Sequence, residues 1–296
     1  MCNPTGATEA LLAAQIRHAC PSFVNLLSSI LFSLLKPTIR HNIERSYVYS
    51  SANNNNSQER MQMRMDKLIA VVTFSMLLGN GVAVAADYDE GFRAFQKGLF
   101  PFALAHWVPL AEQGNVDAQN SLAALYKFGL GVPQEPKTAI KWYKLAAEQG
   151  DAAGQYGLGT MYDNGEGIPE DNETAVRWYT LSAEQGDEDA QLNLGVMYDS
   201  GQGVLENDVT AVKWYGLAAR QGLAEAQTNL GVMYQNGHGV PMDADRAYMW
   251  YNIAAYGGND LGNLKKNSLA SEMNASEKAK LQKMSNTCLA SGYKDC

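Results

Sequence analysis

From residue 21 to residue 287 the chain contains no cysteine, which leaves most of its 296 residues without material for a disulfide framework. Histidine is also scarce. Of four, only His106 and His238 lie beyond residue 85, and neither has a cysteine or carboxylate at metal-ligand spacing. No G-x-S-x-G nucleophile turn, phosphate-binding glycine loop or H-E-x-x-H pair occurs. The turn at 163–167, DNGEG, lacks the alternating carboxylates and distal glutamate of a calcium loop. Catalytic residues, a metal site and a cofactor are therefore not expected. Basic residues are outnumbered, 23 against 31 acidic, and the net charge of −8 argues against a nucleic-acid partner. No apolar run reaches the about 20 residues that a membrane-spanning helix needs.

What the chain has in excess is glycine: 27 residues, or about 9%, against a usual ~7%. Hydrophobic residues at 46% and charged residues at 18% are ordinary globular usage, so a wholly disordered chain is excluded. The glycines follow a repeat. Gly114, Gly150, Gly186, Gly222 and Gly258 are spaced by 36 residues, as are Trp142, Trp178, Trp214 and Trp250. Tyr126, Tyr162, Tyr198 and Tyr234 keep the same step, and Trp107 precedes Trp142 by 35. The copies read as 115–150, 151–186, 187–222 and 223–258, with a shortened copy at 88–114.

Each copy predicts a helix hairpin. In the copy 187–222 the first helix runs over about 187–200, with Asp187 as N-cap and further acids in its first turn. Ala190, Leu194, Met197 and Tyr198 form its apolar face. Gly201 and Gly203 suit the left-handed stop and reversal. A second helix over about 208–220 carries Ala211, Val212, Trp214, Tyr215, Leu217 and Ala218, and Gly222 ends it. One hairpin cannot bury both faces, so the copies must stack. The expected fold is all-α: an α-solenoid of antiparallel hairpins over 86–258, closed by capping helices in 259–296. At identical helical positions in every copy, the tryptophan stripe reads as core rather than a ligand cage.

The pattern A-Q-x-x-L-G-x-M-Y-x-x-G-x-G-V, then A-V-x-W-Y-x-L-A-A-x-Q-G, resembles the Sel1-like repeat, a relative of the tetratricopeptide repeat. Ala190, Gln191, Leu194, Gly195, Met197, Tyr198, Gly201, Gly203, Ala211, Trp214, Tyr215, Ala218 and Gly222 carry it. The resemblance implies an adaptor or scaffold of a bacterial exported type. A cysteine-rich branch is associated with β-lactam binding or hydrolysis, and from it comes the alternative of a cell-envelope enzyme or cell-wall ligand binder. The repeats here have no cysteine and depart from that branch.

Both ends carry signals of their own. Residues 65–85 combine Lys67, an eleven-residue apolar stretch at 68–78 and the small-x-small site Ala83–Val84–Ala85. They read as a cleaved secretory signal, and the alternative is a buried core helix. Export to the periplasm or beyond follows, with no membrane insertion after cleavage and a product starting near Ala86. Residues 1–64 read as an over-extended, disordered start, with translation beginning at Met61, Met63 or Met65; the largely apolar segment at 23–35, thirteen residues long, is too short for an anchor. From Ala86 onward 16 basic and 27 acidic residues give −11, so the solenoid is acidic and its C-terminal cap slightly basic. In that cap, Leu261, Leu264 and Leu269 mark one helix, and Asn274 with Glu277 starts another. Cys288 and Cys296 are an even pair in an oxidising compartment and read as a disulfide, with two free thiols as the alternative.

By tetratricopeptide analogy the first helices line the concave side. Their outward positions are expected at Asp117, Asn120 and Lys127, then Tyr156, Thr160 and Asp163. Asp189, Leu192, Val196 and Asp199 follow, then Glu225, Thr228, Val232 and Gln235. They vary between copies, as a solvated face or a binding groove would. The mixture of apolar residues and acids suits an unidentified protein or peptide bearing basic residues.

Overall fold

The computed structural model describes residues 86–294 and Cys296. The expected leader at 65–85, the extension 1–64 and Cys2 and Cys20 lie outside the described residues. Among the described residues there are twelve α-helices. They are α1 (Tyr88–Gln96), α2 (Phe100–Glu112), α3 (Val116–Phe128), α4 (Pro136–Glu148), α5 (Ala152–Asp163) and α6 (Asn172–Glu184). Then follow α7 (Glu188–Ser200), α8 (Asp208–Gln221), α9 (Ala224–Asn236), α10 (Ala244–Tyr256), α11 (Asp260–Ala270) and α12 (Ala275–Ala290). Consecutive helices up to α10 pair as five hairpins, each stacked on the next, which is the expected all-α solenoid.

The caps explain where the helices begin. Asn115, Asp151 and Asp187 each accept a hydrogen bond from the backbone N–H three residues on, at 2.8, 2.7 and 2.8 Å. Asp171, Asn207 and Asp243 do the same for the second helices. Leu223 holds the equivalent place before α9 with no side-chain cap bond; it packs instead against the last core cluster. The turns are pinned alike. The carbonyls of Tyr126, Tyr162, Tyr198 and Tyr234 each accept the N–H nine residues on, at 2.8–2.9 Å. Gly203 (φ +66°) must approach the Asn172 backbone of the preceding copy, which leaves no room for a side chain.

The core is a chain of four overlapping clusters rather than one centre. Tyr162 and Tyr198 each join two of them, and so does the half-buried Trp142. Trp107 does not belong to the tryptophan row. Its 35-residue offset puts it in the register of Tyr143, Tyr179, Tyr215 and Tyr251, where it is 1% exposed and donates to the Tyr88 carbonyl at 3.2 Å. His106 takes the tryptophan place and accepts the Asp87 N–H at 3.3 Å.

A buried amide ladder runs through the stack. Gln119, Gln155, Gln191 and Gln227 each donate to the carbonyl eight residues back, at 3.0–3.4 Å. The side-chain oxygens of the first three accept from Gln149, Gln185 and Gln221, at 2.7–2.9 Å. Neutral hydrogen bonds in this low-dielectric seam satisfy the buried amides and fix the register of successive hairpins.

Beyond the fifth hairpin, α11 packs on α10 and α9, whereas α12 turns back onto α10 and barely touches α11. The two capping helices therefore do not pair with each other as a hairpin. Leu261 and Leu264 lie on the outside of α11, and Gly262 is the residue it buries. Asn274 and Glu277 form a reciprocal capping box at the start of α12. Cys288, fully buried, is bonded to Cys296 with the Cα atoms 5.0 Å apart, which ties the tail to the last core cluster.

Candidate functional site

The first helices α3, α5, α7 and α9 place the expected concave residues in four rows, each with its own surroundings. The first row is open: Asp117, Asp189 and Glu225 are exposed. The third is partly open, with Thr160 and Val232 half-buried and Val196 38% exposed. Acids in three of the four copies, interrupted by Ala153 in the second, thus run beside a partly open row of Thr160, Val196 and Val232, two helical turns apart on each helix.

The second row is not outward. Leu192 is 7% exposed and Thr228 only 1%. The start of the following first helix covers this row, because adjacent copies stack too closely to leave a groove there. Asn120 donates to Asp151 at 2.6 Å, and Thr228 bonds Asn259 at 3.1 Å. Half-buried Tyr156 lies beside Asp187, Asp189 and Asn193 of the next copy. Asn120, Tyr156, Leu192 and Thr228 therefore form a seam between repeats.

The fourth row is tied inward. Tyr179 donates its hydroxyl to Asp163 at 3.1 Å, Tyr215 to Asp199 at 3.2 Å and Tyr251 to Gln235 at 2.7 Å. Lys127, the odd member, donates to Thr160 at 3.1 Å and pairs with Glu166 at 3.5 Å. Sequence reasoning missed these rungs and the glutamine ladder. The signal was present, since Gln119 and Gln149 each recur with the 36-residue step.

Charge concentrates at the start of α7. Burial pushes the Asp187 carboxyl up from its ordinary value, and neighbouring Asp189 and Glu188 add to this against its capping bond. Asp189 is raised by burial and then by Glu188. The Tyr156 phenol is raised by burial first and then by Asp189 and Asp187. Like charges held together on this scale favour a cationic group arriving from solvent.

Elsewhere a groove of about 380 Å³ lies between α10, α11 and α12, with the amides Asn252, Asn259, Asn263, Gln282 and Asn286 in its lining. Its ionisable side chains are Asp260, Lys266 and Tyr256. Among the described residues no group of three His, Cys, Asp or Glu could hold a metal ion. No helix among them is long and apolar enough to cross a membrane.

The Sel1 repeat family profile matches residues 116–151, 152–187, 188–223 and 224–259, each frame one residue later than the periodicity suggested. A crystallised Sel1 repeat protein from Oxalobacter formigenes is 31% identical, over 68% of this chain and 85% of that one, with a TM-score of 0.60. The chain belongs to the Sel1 repeat family. A second Sel1-type structure is c5321, a protective antigen present in uropathogenic Escherichia coli strains and displaying an SLR fold. It is 32% identical, with a TM-score of 0.64. That match covers 76% of this Sel1 repeat chain and 50% of c5321, so this chain spans half of its length. The comparison with curated proteins found no match.

Proposed function

We propose that this Sel1 repeat protein is an exported, non-enzymatic adaptor. In this reading it holds a basic peptide segment of another protein along the first-helix face. The observation that carries it is the pairing of exposed acids at Asp117, Asp189 and Glu225 with a partly open row of aliphatic or small polar side chains at Thr160, Val196 and Val232. A segment alternating Lys or Arg with apolar residues would meet both lines at once. Charge would steer it in, and apolar burial would hold it. The seam and inward rows keep that face rigid, which lowers the entropic cost of binding.

The same residues define the test. Leu192 and Asp199 are unsuitable targets, because their substitution would damage the stack. Asp189→Lys with Glu225→Lys and Val196→Glu changes solvent-facing side chains only. In affinity capture from envelope extract, wild type should retain a partner that this variant loses while its helical content stays unchanged. Identical recovery by both would sink the proposal. Export rests on residues 65–85 and is tested separately: the native protein should begin near Ala86, and an N-terminus upstream of Met61 would contradict it.

A further inference from the structure

The amide ladder loses its donor at the last rung. In the copy before, Gln221 donates through Nε2 to the Gly186 carbonyl at 2.7 Å and to the Gln191 side-chain oxygen at 2.9 Å. One 36-residue step on, those three places hold Gly257, Gly222 and Gln227. Gly257 has no side chain to donate, so the two acceptors remain without it. Gln227 is 1% exposed, and its Nε2 still donates to the Ala219 carbonyl at 3.0 Å. Among the described residues nothing donates to its Oε1 or to the Gly222 carbonyl. An amide oxygen in a side chain this buried gains when a donor arrives.

The rung is reached from solvent. Gln149, Gln185 and Gln221 enter it from exposed positions, and Gly257 and Gly258 are exposed too. A Cβ on Gly257 would have no neighbour nearer than 3.4 Å. One wall is particular to this rung. The Tyr293 hydroxyl oxygen stands 3.5 Å from where a Cβ on Gly222 would be, whereas Gly150 and Gly186 have nothing within 4 Å. Tyr293 lies in the short loop that the Cys288–Cys296 bridge closes, and its O–H can donate or accept.

We propose that this rung is a binding site for a primary carboxamide, presented by a glutamine side chain of a partner segment. The preceding copy supplies the template, because a carboxamide there satisfies the same two oxygens. A ligand amide gives its N–H groups to Gln227 Oε1 and the Gly222 carbonyl, and its own oxygen accepts from the Tyr293 hydroxyl. An ammonium could use only the acceptors, and it would be opposed by the positive N-terminal end of α9, which begins two residues after Gly222. A carboxylate has no donor for either oxygen. The site uses none of the side chains in the acidic and partly open rows, so its test is independent of theirs.

The side-chain amide resonances of Gln227, followed by NMR in the full chain, test this. N-acetylglutamine methylamide should shift them saturably, with a dissociation constant on the order of 10 mM, as a few neutral hydrogen bonds at a protein surface give. The matching glutamate and lysine methylamides should not. Gly257→Gln, which supplies the rung internally, should abolish the response. Gly257→Ala should respond as wild type does, and Tyr293→Phe should bind several-fold more weakly. No saturable shift with the glutamine probe overturns the proposal. Equal shifts with all three probes overturn it too, as does a Gly257→Gln chain that responds like wild type.

Discussion

The ring of Tyr143 lies against Gly157 of the next hairpin, so closely that a Cβ there would stand 2.5 Å from the ring. Its counterparts choose differently. Tyr179, Tyr215 and Tyr251 lie against Gly159, Gly195 and Gly231 of their own hairpins, where a Cβ would stand 2.6–2.7 Å away. In the first full copy that register holds Ala123, fully buried, and the glycine appears one hairpin later instead. Asn193 and Asn229 fill the Gly157 register in later copies, beside Tyr179 and Tyr215. One close approach per tyrosine is kept, and its position shifts.

Gly195→Ala should therefore destabilise the protein by about 1–3 kcal/mol in urea unfolding, the usual range for overpacking. Ala123→Gly should cost only about 0.5–1 kcal/mol of helix propensity. Gly157→Asn alone should be costly, but combined with Ala123→Gly the loss should fall short of the sum, since the pair recreates the later arrangement. Additive losses would show that the two glycine positions are unrelated.

The amide ladder ends where its next rung should be. Gly257 holds the register of Gln149, Gln185 and Gln221, with φ −75° and ψ 6° close to the φ −82° and ψ 0° of Gln149. A Cβ at Gly257 would meet Ala224 at an ordinary 3.4 Å. Gly257→Gln should bond Gln227 and reduce unfolded-state entropy, adding about 1 kcal/mol in thermal or urea unfolding. A loss of stability would mean that the groove beside α11 cannot accept the side chain.

Tyrosine burial sets an alkaline limit. Burial pushes Tyr143 up to about 12, with help from the Glu166 charge, and Tyr251 also to about 12. Tyr179 and Tyr215 move the same way, by burial and then by Asp163 and Asp199. Above pH 10 the unfolded chain releases phenolic protons that the folded chain retains. This stabilisation is complete below the unfolded value of 10.0 and is lost as pH rises through the folded values. Denaturant midpoints should fall steeply from pH 10 upward, and less steeply in Tyr179→Phe with Tyr215→Phe. A midpoint independent of pH up to about 11 would refute the assignment.

The Cys288–Cys296 bridge closes a short loop over the last core cluster. In the chain-entropy model it contributes roughly 2.5 kcal/mol, so reductant should lower the unfolding midpoint correspondingly. Trypsin cuts after Lys283 and Lys294, which places the two cysteines on separate peptides. Non-reducing mass spectrometry should find those peptides joined; two free peptides would contradict the bridge.

The fold was legible because one unit recurs. Asp187, Gly201 and Gly222 mark ends that the helices keep to within a residue or so. The site was less legible, because a helical wheel separates inside from outside only for an isolated hairpin. Leu192 and Thr228 look outward on their own helices and are buried by the next copy, a contact between repeats that no single unit encodes. Asp163 and Asp199 look free until their tyrosines, 16 residues on, are placed. Leu261 and Leu264 failed in the opposite direction: apolar spacing identified the helix, but α12 does not cover that side.

The acidic and partly open aliphatic rows are proposed to bind a basic, apolar-bearing segment. Fluorescence anisotropy with a labelled peptide alternating lysine and leucine, beside its glutamate–leucine counterpart, tests it most directly. The lysine peptide should bind saturably, weakened by salt and lost in Asp189→Lys with Glu225→Lys, and the glutamate peptide should not bind. Equal binding of both peptides, or lysine-peptide binding untouched by the two substitutions, would contradict it.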